Sequence, residues 1–169
     1  ATAHAGFQDK LAGAEVLDVN AGLPGINEPA TLEQLVRDLQ AVTDLPLQLD
    51  SSNPDALSHA LRIYNGKPIV NSVNGEQSTL DMILPLCKKY GAAVVGLALD
   101  EHGIPDTADG RFAIAQRIVK AANAVGIPNE DIYIDCLTLT ASAQQEGAVQ
   151  TLEALTRCKK ELGVRTVLG

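Results

Sequence analysis

Short apolar runs, each stopping on a polar residue, alternate along this chain with longer segments in which apolar residues recur three and four apart. The pattern is plainest over residues 47–76. Leu47-Gln48-Leu49 stops on Asp50, Pro68-Ile69-Val70 stops on Asn71, and one helix-sized segment lies between them. In that segment Asn53-Pro54 is a helix start, a capping side chain followed by a residue whose missing N–H does no harm in the first turn, and Asn65-Gly66 is a stop. A parallel strand buried on both faces reads as an apolar run, and polar residues just past it mark a carboxyl end that opens onto a site. The unit is therefore β-α-β, with Asp50 and Asn71 side by side at one rim of a sheet.

The alternation extends in both directions. Residues 1–14 are Ala-rich and predict a helix ending near Gly13, and residues 15–20 predict a strand running into the tight-turn loop Ala21-Gly22-Leu23-Pro24-Gly25. Over residues 29–43, Leu32, Leu35, Val36, Leu39 and Val42 fall at helical spacing with Glu33, Arg37 and Asp38 between them. Residues 71–76 predict a loop, after which Ser78 caps a helix through Met82, Ile83, Leu86 and Cys87 to Gly91. A strand over 93–99 leads into a polar loop over 100–109, and a long helix over 111–125 is stopped by Gly126 and Pro128. Ile132-Tyr133-Ile134 is a strand ending on Asp135. A Thr-, Ser- and Gln-rich loop over 137–145, a helix over 149–162 and the start of one more strand at Arg165 complete the chain.

Strict strand–helix alternation implies parallel strands joined by right-handed crossovers. The repeat of roughly 30 residues predicts an α/β fold of the (β/α)8 TIM-barrel type with about six of its eight strands covered. A doubly wound open sheet is the alternative, but neither G-x-G-x-x-G nor a P-loop follows the first strand. In a barrel the carboxyl ends of the strands converge on one mouth, which is where Asn20, Asp50, Asn71 and Asp135 fall. Asp18 alternates with inward positions and reads as structural, paired with a helix cation.

Composition narrows the function. At 169 residues and 17.8 kDa, nearly half of them apolar, the chain suits one domain with a real core. A formal charge of -8 with no basic stripe argues against a nucleic-acid backbone as partner. No apolar run suffices to span a membrane and no signal-peptide pattern opens the chain, so a cytoplasmic protein is expected. Cys87, Cys136 and Cys158 are odd in number and widely spaced, which predicts three reduced thiols rather than a disulfide framework or zinc site. Asp100-Glu101-His102 reads as a polar loop, since consecutive residues do not converge readily on one ion, and no metal is expected.

A mouth lined by Asp and Asn offers acceptors from carboxylates and mixed donors and acceptors from amides. That complements the edge of a heterocycle carrying a ring N–H, an exocyclic NH2 and a carbonyl, as a pterin does. Taken singly, Asp50, Asn71 and Asp135 read equally well as turn or strand-end residues. Taken together, LDVNAG, LDSSN, VNSVNGE and YIDCLTLT resemble, in this order and spacing, the pterin-binding barrel of methyltetrahydrofolate:corrinoid methyltransferases, relatives of dihydropteroate synthase. The likeness runs over nearly the whole chain.

The resemblance implies that Asp50, Asn71 and Asp135 hydrogen-bond the pterin ring of methyltetrahydrofolate, with Asn20 in the same mouth. It further implies transfer of the N5 methyl to the cobalt(I) of a corrinoid (cobalamin) on a partner protein. Where the family commonly has proline after its sixth-strand aspartate, this chain has Cys136. The family's first strand, and the asparagine it places near N5 beyond its seventh, fall outside the sequence. Residues 1–169 are accordingly expected to be a partial pterin-binding barrel, an internal piece of a longer chain, with the catalytic residue beyond Gly169. The open sheet edges this leaves would be covered by further chain or by pairing into a homodimer. Dihydropteroate synthase and a non-catalytic pterin-binding module are the competing readings.

Overall fold

The structure is a computed structural model that describes residues 13–138 and 145–168. Six parallel strands lie side by side in sequence order: β1 (Leu17–Asn20), β2 (Leu47–Asp50), β3 (Ile69–Val73), β4 (Ala93–Leu97), β5 (Ile132–Asp135) and β6 (Arg165–Val167). Between them run α1 (Glu28–Gln40), α2 (Pro54–Ile63), α3 (Gln77–Tyr90), α4 (Ala108–Ala124) and α5 (Gln145–Arg157). A 3-10 turn, Asn129–Asp131, leads into β5, and a π-helical turn, Cys158–Leu162, continues α5 to Gly163. This is the expected α/β arrangement of a partial TIM-type barrel, with β1 and β6 as unpaired edges among the described residues. The helix expected over 1–14 lies almost wholly outside the described residues, as does most of the loop over 137–145.

Side chains alternate across a strand, so residues paired in register share a face. Leu17 pairs with Leu47, Val19 with Leu49, Leu49 with Val70, and Val94 with Ile132. All of these are buried, and they form the face covered by Leu32, Val36, Leu57, Leu61, Leu84 and Ile118 of the helices. That leaves the opposite face for Asp18, Asn20, Gln48, Asp50, Asn71, Leu97 and Asp135. The helices are thus held on by the apolar alternate positions, while the polar ones are left to line the other side. Burying each leucine is worth about 1.5–3 kcal/mol, which fixes the register against a one-residue slip.

Several element ends differ from the sequence expectation. β3 does not stop at Asn71 but continues to Val73: the Asn71–Ser72 peptide is cis, and the register slips from Asn71 opposite Val95 to Val73 opposite Gly96. The extra residue, Ser72, lets Val73 return to the buried face. α3 begins at Gln77, without a Ser78 cap. The Asn74 side-chain oxygen instead accepts from the Glu76 N–H at 2.8 Å and from the Thr79 hydroxyl at 2.7 Å. α4 begins three residues before Arg111, because Thr107 caps it through the Gly110 N–H at 3.1 Å. Asp18 accepts from Gln48 Nε2 at 2.7 Å, a cross-strand amide rather than a helix cation.

The helix start read at Asn53-Pro54 is in place. Asn53 Oδ1 accepts from the N–H groups of Asp55 and Ala56 at 3.0 and 3.3 Å. Asn53→Ala should remove this cap at a cost of about 1–2 kcal/mol, read as a lower urea midpoint with unchanged m. An unchanged midpoint would show that α2 is held by packing alone.

Candidate functional site

Asn20 pairs in register with Asp50, and Asp50 with Asn71, so three polar residues stand in one row, at the last residues of β1 and β2 and two residues before the end of β3. Neighbouring strands lie about 4.8 Å apart, so the row is roughly 10 Å long, the scale of a bicyclic ring. A cleft of about 500 Å³ opens over it, lined by these three residues with Pro24, Glu28 and Ser72 among others.

The row is held by its own hydrogen bonds. Asn20 Oδ1 accepts from the Gly22 N–H at 2.8 Å, which turns its amide so that Nδ2 donates to Asp50 Oδ2 at 2.8 Å. Asp50 Oδ1 and the Asn71 side-chain amide make no hydrogen bond among the described residues, so each still offers hydrogen-bonding capacity to the cleft. The Asn71 carbonyl accepts from the Ser51 N–H at 3.0 Å, tying the ends of β2 and β3 together.

Glu28, which the sequence reading passed over as lying before the expected helix, braces the same rim. Its carboxylate accepts from the Ser51 hydroxyl at 2.5 Å and from Asn53 Nδ2 at 3.3 Å, joining the first turn of α1 to the segment after Asp50. The available signal was its place between a capping Asn27 and Pro29, beyond a strand's carboxyl end.

Asp135 shares the face but not that cleft. It pairs with Leu97 on β4, two strands along from β3, and is only 7% exposed. Its Oδ1 accepts from the Leu137 N–H at 2.7 Å, which fixes the rotation of the carboxylate. Cys136 faces the other way, into the core against Cys158. Its hydrogen bond with Cys158, then burial, holds the Cys136 thiol well above the ordinary range. All three cysteines are free and buried, and burial pushes Cys87 up to about 12.

Asp100 and His59, away from the row, have partners of their own. Asp100 lies in the loop after β4, where the His102 N–H, then Arg117 at 2.7 Å, keeps its carboxyl below the usual range. His59 sits on the surface, 3.1 Å from Glu33. No group of three metal-ligating side chains occurs among the described residues, and no helix there is long and apolar enough to cross a membrane. A second cleft, of about 590 Å³, lies at the opposite end of the strands, where Thr43, Asp44, Tyr64 and Lys67 surround the entries to β2 and β3. It contains none of the predicted site residues, and the strand carboxyl ends are where such folds place their chemistry.

Comparison with known proteins gives the family and the fold. The sequence pattern of the pterin binding enzymes matches residues 3–169. The methionine synthase of Mycobacterium leprae is 33% identical over 168 residues, which is 93% of this chain and 14% of that protein. The methylcorrinoid:tetrahydrofolate methyltransferase of Eubacterium limosum is 28% identical over 135 residues, covering 79% of this chain and 50% of that one. Among solved structures, the Xanthomonas albilineans dihydropteroate synthase in complex with 7,8-dihydropteroate superposes with a TM-score of 0.72 at 20% identity. It covers 99% of this chain and 62% of that one, a likeness of fold. This chain therefore spans only part of the length of the relatives it matches.

Proposed function

This chain belongs to the family of pterin-binding enzymes, and from that premise we propose that it holds the pterin of methyltetrahydrofolate for methyl transfer to a corrinoid on a partner protein. The observation that carries the reading is the row Asn20, Asp50 and Asn71, with hydrogen-bonding capacity at Asp50 Oδ1 and the Asn71 amide turned to one cleft. The choice of methyl transfer is supported by the relatives, named as a methionine synthase and a methylcorrinoid:tetrahydrofolate methyltransferase.

Each residue has a definable task. Asp50, an acceptor oriented by Asn20, takes a hydrogen bond from a ring N–H or exocyclic NH2. Asn71 donates its NH2 to a ring nitrogen or carbonyl and accepts at its oxygen. Asp135, oriented by Leu137, takes a second set of donors from the far side of the mouth. The partner's corrinoid supplies the nucleophile that accepts the methyl group.

Breaking the bond to N5 leaves an electron pair on that nitrogen, and an amine leaves only when protonated or strongly hydrogen-bonded there. The residues named above are assigned to holding the ring, a task separate from supplying the donor at N5. The edges of β1 and β6, unpaired among the described residues, are where further strands, or a second copy in a homodimer, would complete the enclosure.

Titration with tetrahydrofolate, beside a single-turnover assay with methyltetrahydrofolate and free cob(I)alamin, tests the reading. Binding with loss of the cob(I)alamin absorbance is expected in the full-length protein. Binding without transfer there would indicate a pterin-holding module. Condensation of a pterin pyrophosphate with p-aminobenzoate would indicate a dihydropteroate synthase, and absence of binding would overturn all three.

A further inference from the structure

Arg111 is 3% exposed, an unusual place for a guanidinium, and its contacts explain the position. Nε donates to the Pro105 carbonyl at 2.8 Å. Nη1 donates to the carbonyls of Cys136 at 3.0 Å and Leu137 at 2.9 Å, and also reaches the Thr151 hydroxyl. That hydroxyl is itself tied to α5, donating to the Gly147 carbonyl at 3.0 Å. One side chain in the first turn of α4 thus gathers the loop after β4, the end of β5 and the start of α5.

The Cys136 carbonyl and the Leu137 N–H belong to one planar peptide unit. The carbonyl accepts from Arg111, and the N–H donates to Asp135 Oδ1 at 2.7 Å. A rigid plane therefore connects the guanidinium to the carboxylate, and a cation at its oxygen end strengthens the donor at its nitrogen end. Leu137 sits at φ 59°, a left-handed conformation that a leucine adopts at a cost of about 1–2 kcal/mol. The two carbonyls flanking that residue are the ones Arg111 grips. Gly110 belongs to the same device, since a Cβ there would lie 2.7 Å from Pro105 Cβ and push away the loop that supplies the Pro105 acceptor.

We infer that Arg111 is a positioning residue for ligand binding, acting through the Cys136–Leu137 peptide to aim the Asp135 carboxylate into the mouth. The inference rests on the pterin reading for the identity of the ligand, and on the hydrogen-bond relay for its own content.

The test is a double-mutant cycle in the full chain, with tetrahydrofolate as the probe. Arg111→Met should weaken binding about 10-fold in the wild-type and Asp50→Asn backgrounds. In the Asp135→Asn background it should weaken binding less than about 2-fold, because the group it aims is already lost. Arg111→Lys, which retains a cation able to reach the carbonyls, should recover most of the affinity. Should Arg111→Met fail to fold, Thr151→Val run through the same backgrounds decides, since the same dependence on Asp135 is expected at smaller size. Equal losses in every background, or none, would overturn the inference.

A readout independent of ligand is the Leu137 amide proton, expected far downfield in the wild type, moved upfield by both Arg111→Met and Asp135→Asn, and moved less by Arg111→Lys. If the wild type binds no tetrahydrofolate, the pterin reading fails and the relay is judged on this resonance alone. A Leu137 amide unmoved by the Arg111 substitution would sink the relay.

Discussion

Asp50→Asn should weaken tetrahydrofolate binding about 100-fold while leaving the fold intact. The reason lies in its neighbour. Asn20 Nδ2 already donates to Asp50 Oδ2 at 2.8 Å, and Asn20 is itself fixed by the Gly22 N–H. An amide introduced at position 50 keeps that bond only by turning its oxygen toward Asn20, which aims its NH2 at the ring donors. An acceptor is thereby replaced by a donor facing donors. Losing a charge-assisted hydrogen bond costs about 1.5–3 kcal/mol, and each 1.4 kcal/mol is a factor of ten, so roughly 100-fold follows. Calorimetric titration measures it, with circular dichroism and a thermal melt to verify folding. A loss of Tm without a loss of affinity would reduce Asp50 to a structural strand end.

Gly96→Val should be the most damaging of the single substitutions considered for stability. Gly96 lies on the buried face of β4 beneath α4, and a Cβ there would meet Ile118 Cγ2 at 2.8 Å and Ile134 Cδ1 at 3.1 Å. Both isoleucines belong to the packed core. Valine places two further methyl groups in the same gap, so helix and sheet must separate or the isoleucines leave their rotamers. Overpacking of this kind costs about 3 kcal/mol, lowering Tm by roughly 6–12 °C for a domain of this size. Valine's better strand propensity returns less than about 1 kcal/mol of that. Gly96→Ala should show a smaller fall. A Gly96→Val variant within about 1 kcal/mol of wild type in urea would show that the α4–β4 contact is looser than described.

The fold was legible because its apolar runs are simple. Leu47 and Leu49 point to the helices and Asp50 ends the strand, just as the run suggested. Asn71 shows where legibility stopped. A polar residue inside a strand that lines a cleft looks, in hydropathy, the same as the first residue of a loop, so β3 was read two residues short of Val73. The helix starts at Ala108 and Gln77 were missed because their N-terminal fixings, Thr107 to Gly110 and Thr79 back to Asn74, lie among loop-like residues.

The candidate site was half legible for a related reason. Asn20, Asp50, Asn71 and Asp135 announce themselves as the polar residues that close apolar runs, and β-strand parity puts them on one face. Glu28 and Arg111 do not. A charged residue at the start of a helix is usually a solvated one, and Arg111 grips three backbone carbonyls, acceptors that every residue carries and that leave no trace in the side-chain pattern. The relay from a helix cation to a strand-end carboxylate needed the path of the backbone to be seen.

The most direct test is a titration with tetrahydrofolate followed by the side-chain amide resonances of Asn20 and Asn71 in the 15N spectrum. Saturable shifts of both, moving together and lost in Asp50→Asn, are the predicted result. Saturation in which those two stay still while Gln40 and Asn65 move, at the cleft on the opposite end of the strands, would contradict the account.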